Sequence, residues 1–131
     1  MLVDALLDAN QRCPRTLAVS DGSRTLTYKQ LTLLAAVFRD VISRTTDCPR
    51  VGIMLPASTA FPAVFFGVLW AGRTAIPLNF LLQADELSRI IADAQLDCIF
   101  TVGHFRELVK ALPVRAVYLE ELSLKRRMIF A

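Results

Sequence analysis

The chain has 131 residues, 54% of them of apolar type, against about 45–50% in an ordinary soluble domain. That length supports one domain with a real core. A formal charge of +3 from 15 basic and 12 acidic residues, scattered except at Lys125-Arg126-Arg127, excludes the basic stripe of a nucleic-acid binder.

Leu2 to Gln11 reads as a short amphipathic helix, with Leu2, Val3, Leu6, Leu7 and Asn10 at helical spacing and Pro14 ending it. The stretch holds Asp4 and Asp8 and no basic leader, so it does not read as a secretory signal. Leu17 to Ser20 and Thr25 to Thr27 form a hairpin around the turn signal Asp21-Gly22-Ser23. Thr27-Tyr28-Lys29-Gln30 fits a capping box. The helix it opens should bury Leu31, Leu34, Ala35, Phe38, Val41 and Ile42, with Lys29, Thr32, Arg39 and Asp40 off that stripe.

Val51 to Leu55 is a strand without alternation, as a parallel strand covered on both faces should be. Ser58 or Thr59 is the expected cap of the next helix, and Pro62 falls near its first turn. Phe61, Val64, Phe65, Val68 and Leu69 are its expected packing face, and Gly72 its terminator. The near-apolar run from Ala60 to Gly72 falls short of the about 20 residues that cross a bilayer, so no transmembrane segment is expected. Thr74 to Leu78 is a strand. Asp85 and Glu86 open a helix that turns Leu87, Ile90, Ile91 and Ala94 inward. Cys98 to Val102, a short helix marked by Phe105, Leu108, Val109 and Leu112, and a strand from Arg115 to Leu119 complete the pattern. Strands alternating with helices predict an α/β fold: a mainly parallel sheet with helices on both faces and a short N-terminal hairpin.

Candidate chemistry is sparse. Gly67 to Thr74 imitates a phosphate loop of the form GxxxxGK[ST], with Arg73 in the lysine position. Such a loop must follow a strand and open a helix, whereas this match lies in a helix and leads into a strand, so Gly72 is read as a helix terminator. No GxGxxG is present. A phospho-receiver reading fails because the strands at Val51 and Cys98 end in Leu-Pro and Gly-His rather than carboxylates. His104, the single histidine, has no nucleophile and carboxylate arranged around it and reads as surface. Trp70 reads as packing, and Asp93 and Asp97 as solvated. Lys125-Arg126-Arg127 reads as a solvated linker, with acidic lipid or a CoA phosphate as the alternative contact. Cys13, Cys48 and Cys98 are odd in number and far apart, which suggests a reducing, cytoplasmic setting and no metal site.

The order of motifs carries more than any one of them. Cys13-Pro14-Arg15-Thr16-Leu17-Ala18-Val19 is followed by Asp21-Gly22 and Leu26-Thr27-Tyr28-Lys29-Gln30-Leu31. Then come Arg50-Val51-Gly52-Ile53-Met54-Leu55-Pro56, Phe66-Gly67-Val68-Leu69-Trp70-Ala71-Gly72, Ile76-Pro77-Leu78-Asn79, Asp85-Glu86-Leu87 and Cys98-Ile99-Phe100-Thr101. From Leu2 to Leu119 the series resembles the opening part of an adenylate-forming enzyme. That superfamily holds acyl-CoA synthetases, fatty acyl-AMP and acyl-carrier-protein ligases, peptide-synthetase adenylation domains and luciferases. The run Ala71 to Leu82 is most similar to long-chain acyl-activating members. Gln83 departs from the Ser or Thr that often caps the helix bearing Glu86.

The resemblance implies a parent enzyme that uses ATP, magnesium, and CoA or a carrier-protein phosphopantetheine. Its phosphate loop, magnesium-binding Glu, ribose-binding Asp and catalytic Lys fall beyond the matched part, so no catalytic, cofactor-binding or metal residue maps onto this chain. The expectation is an N-terminal subdomain over residues 1–121, with 122–131 as a linker or the start of a further segment. Its partners would be the remainder of the enzyme and, through it, a small-molecule acid. The alternative is a non-enzymatic interaction module that uses exposed apolar surface. Either reading predicts self-association.

Overall fold

A computed structural model describes residues 2–122. Helix α1 (Leu2–Arg12) leads into an antiparallel hairpin of β1 (Leu17–Ser20) and β2 (Thr25–Thr27). Helix α2 (Tyr28–Thr45) follows, then β3 (Arg50–Met54), α3 (Ala60–Trp70), β4 (Thr74–Pro77), α4 (Ala84–Ala94), β5 (Cys98–Thr101), α5 (Arg106–Lys110) and β6 (Arg115–Tyr118). The last four strands form one parallel sheet in the order β4-β3-β5-β6. Winding therefore starts at β3, goes out to β4, crosses back over β3 to β5 and continues to β6. The expected fold class is the observed one, with strand ends differing by a residue or so.

The missing alternation in β3 and β5 follows from this topology. Val51 and Ile53 of β3, with Cys98 and Phe100 of β5, face a core built with α1, α2 and α3. Met54 and Ile99 point the other way, into a core built with α4 and α5. Each apolar residue has its own core to enter, so no position is left for a polar side chain. Gly52 lies on the second side, where a Cβ would come within 2.6 Å of Ile99 Cγ2.

The helix ends follow local chemistry. At α2, the Thr27 hydroxyl accepts from the Gln30 amide at 3.2 Å and the Gln30 side chain accepts from the Thr27 amide at 2.9 Å, the expected capping box. At α3, Gly72 takes φ +78°, its N–H donates to Leu69 O and the Arg73 N–H donates to Val68 O, a Schellman ending. Helix α4 ends the same way with a non-glycine residue: Gln95 sits at φ 55°, donating to Ala92 O while Leu96 donates to Ile91 O. At the start of α4 the Gln83 amide donates to Glu86 Oε1 at 3.4 Å, so the Glu86 half of a capping box is in place despite the departure at Gln83.

Three expectations about side chains need correction. Thr32, placed off the stripe of α2, is buried, as is Val37, while Leu34 is only half-buried. In α3 the buried residues are Ala63, Val64, Gly67 and Val68; Phe61, Phe65 and Leu69 are half-exposed. Neither Ser58 nor Thr59 caps α3 with its side chain: Ser58 Oγ donates to Pro56 O, and Thr59 makes no such bond.

Candidate functional site

The carboxyl ends of the parallel strands are where an open α/β sheet offers a ligand crevice, at the point where winding reverses. Here that point lies around β3 and β5. On the α4 side it is closed by aromatic packing: Phe80, after β4, stacks on Phe105, after β5, with ring centroids 4.6 Å apart. Beyond β5 the Gly103 amide donates to Glu120 Oε2 at 2.8 Å, and a Cβ on Gly103 would come within 2.9 Å of that oxygen. Arg106 pairs with Glu121 at 3.0 Å and lies over the Tyr118 ring at 4.0 Å. The Glu121 hydrogen bond favours the charged guanidinium and raises its pKa further.

On the α1–α3 side a cleft of about 590 Å³ stays open. Val19, Ser20 and Asp21 of the hairpin line one wall, and Ala57, Ser58, Thr59, Phe61 and Pro62 at the start of α3 line the other. This is the amino end of a helix, a place suited to an anion. The protein's own carboxylate already fills that role. Asp21 Oδ2 accepts from the Thr59 amide at 2.9 Å, while Oδ1 accepts from the Ser23 amide, the Ser23 hydroxyl and the Arg24 amide at 3.0, 2.9 and 2.8 Å. These donors hold the Asp21 carboxyl well below the usual carboxylate range, the Thr59 amide contributing most. A phosphate entering here would meet a fixed negative charge. Sequence reasoning saw Asp21 only as a turn residue. The signal for its second role is the absence of any acid in the first turn of α3, which leaves the helix to find an acceptor elsewhere.

Gly67, Gly72 and Arg73 of the phosphate-loop mimic each have a structural use instead. Gly67 is the point where α3 crosses α2: a Cβ there would lie 2.6 Å from Phe38 Cβ and 3.1 Å from Ala35 O. Gly72 ends the helix. Arg73 turns to the opposite edge of the sheet, where its Nη1 donates to Thr46 O at 2.6 Å and Cys48 O at 3.0 Å. Arg115 Nη2 donates to Thr45 O at 2.8 Å and Arg50 Nη1 to Ala94 O at 3.3 Å. These arginines meet the carbonyl ends of α2 and α4, where positive charge is favourable.

The other residues singled out in the sequence lie apart from one another. His104 is exposed in a 3₁₀ turn, edge-on to Phe105 with centroids 5.2 Å apart. Trp70 packs against the α1–α3 core with the Arg39 guanidinium 4.5 Å from its ring centre. Asp93 and Asp97 are both exposed, as expected, and Asp97 also accepts the Thr46 hydroxyl at 2.8 Å across 51 residues of sequence. Cys13, Cys48 and Cys98 are free thiols; Cys98 is fully buried, and burial, aided by Asp97, pushes its pKa up to about 12. Lys125-Arg126-Arg127 lies outside the described residues. Among the described residues no cluster of three or more His, Cys, Asp and Glu side chains is placed to hold a metal, and no helix is long and apolar enough to cross a membrane.

The class defined by these features is a doubly wound parallel α/β domain whose carboxyl edge is packed with its own side chains on the α4 side and open as a cleft beside α3. Its relatives make that specific. The sequence model for AMP-binding enzymes matches residues 6–128, so the chain belongs to the AMP-binding enzyme family. It is 35% identical over 119 residues to the syringomycin synthase SyrB1 of Pseudomonas syringae pv. syringae, a match covering 88% of this chain and 19% of that protein. It is 30% identical over 105 residues to the fatty acid–[acyl-carrier-protein] ligase ScoC of Streptomyces coeruleorubidus, covering 79% of this chain and 20% of that one. The chain thus spans about a fifth of the length of these curated relatives. Among solved structures, a fatty acyl CoA synthetase of Mycobacterium tuberculosis superposes with a TM-score of 0.84 at 25% identity, over 99% of this chain and 28% of the other. The N-terminal domain of FACL13 from the same organism shares the fold, with a TM-score of 0.84 at 23% identity, over 99% of this chain and 36% of that domain.

Proposed function

We propose that residues 1–121 are the N-terminal subdomain of an ATP-dependent ligase that activates a carboxylic acid, a fatty acid by preference, as an acyl-adenylate and passes the acyl group to CoA or a carrier-protein thiol. We read residues 122–131 as a linker or the start of a further segment. The observation that carries the reading is the AMP-binding family match over residues 6–128. Relatives named as fatty acid ligases support the substrate class.

Within the ligase the role of this segment is structural. At the amino end of α3 the Asp21 carboxylate takes the place a phosphate would occupy, which supports that role. From the family resemblance we assign ATP, magnesium, the acceptor thiol and the acid substrate to the remainder of the enzyme. The three free cysteines favour a cytoplasmic setting.

The half-exposed side of α3 is the surface through which the segment meets other protein. A helix that is apolar all round is normally an interior helix. Phe61 stacks on Phe65 with centroids 6.2 Å apart, and Phe65 meets Phe66 edge-on at 5.7 Å, forming an aromatic ledge. In the isolated chain this ledge promotes self-association.

An ATP–pyrophosphate exchange assay of the purified chain across fatty and aryl acids tests the structural role. No exchange above background is expected, and clear turnover with any acid overturns it. Light scattering across a concentration series should show association that weakens when Phe61 and Phe65 become Ser; a monomer at every concentration refutes the ledge as a contact surface.

A further inference from the structure

We draw no further inference here: the strongest candidate, the cleft between the β1–β2 turn and the amino end of α3, has its one carboxylate, Asp21, already engaged by donors of its own chain, and none of the buried unpartnered polar atoms found among the described residues, on Asn10, Thr32 and Thr101, belongs to its lining.

Discussion

Helices α2 and α3 cross on the same side of the sheet and share one core, yet their sequences carry different amounts of information. In α2, polar residues such as Lys29, Arg39 and Asp40 interrupt the apolar ones, so the buried side is readable from spacing. In α3, AFPAVFFGVLW, no residue is polar, and spacing cannot say which side turns inward. The expected face of α3 is Phe61, Val64, Phe65, Val68 and Leu69; Val64 and Val68 are buried, while the three larger side chains are half-exposed. The real one is set by the small ones, Ala63 and Gly67 with Val64 and Val68, because a close crossing with α2 needs the backbone to approach. Size decided the orientation where polarity could not.

The widest separation between the two helices should appear on truncating a phenylalanine in each. Phe38 of α2 is 1% exposed, and Phe38→Ala should cost about 3–5 kcal/mol in urea unfolding. Phe65 of α3 is half-exposed, and Phe65→Ala should cost under about 1 kcal/mol. Equal costs would mean that the outer side of α3 is packed as tightly as the inner.

Gly67→Ala comes next. The added methyl meets Phe38 Cβ and the α2 backbone, which cannot swing away as a side-chain tip can. The expected loss is about 1–3 kcal/mol, although alanine is the better helix former. A gain in stability would show that the two helices slide apart freely.

The caps differ in kind and should differ in response. Thr27→Ala removes the cap of α2 and should cost about 1 kcal/mol, whereas Thr59→Ala removes no cap bond and should leave the amino end of α3 unchanged. The corresponding change for α3 lies 38 residues away, at Asp21. Its lowered pKa sets the sign: the carboxylate stabilises the fold above its unfolded value of 3.8, and that contribution is lost as pH falls through the lower folded value. Asp21→Asn should therefore lower the thermal midpoint at pH 7 and flatten its decline below about pH 4. An unchanged acid limb would remove Asp21 from the account of how α3 is anchored.

At the alkaline end the sign reverses. The unfolded chain ionises Cys98 above its ordinary value of 9.0, while the folded chain holds the proton until about 12. Stability from this group is complete below pH 9.0 and falls between these values. In native protein at pH 8, a thiol reagent should label Cys48 and Cys13 and reach Cys98 only after denaturant is added. Labelling of all three at one rate would contradict the burial of β5.

Sequence reading places the phosphate-loop mimic at the end of α3 and leading into β4, where it is found, and misses the long-range partners of its residues. The phosphate-loop mimic between Gly67 and Thr74 was dismissed on direction alone, since a helix presents its carbonyls at its end. What replaced it was not readable: Gly67 meets Phe38, and Arg73 reaches the carbonyls of Thr46 and Cys48. The same holds for Asp97, whose bond to Thr46 joins residues that only the fold brings together. Asp21 shows the limit most clearly, because its turn role is local and visible while its hold on Thr59 is long-range and silent.

By itself the sequence determined the elements, their order, the parallel sheet, the caps at Thr27 and Gly72, and the family. These rest on periodicity, on backbone preferences within a few residues, and on a run of motifs in fixed order. Only the tertiary structure decided which side of α3 is buried, which carboxylate caps it, and that the carboxyl edge of the sheet holds the chain's own side chains on the α4 side. Those outcomes depend on the distance of approach between backbones far apart in sequence, and hydrophobicity along the chain does not encode that distance.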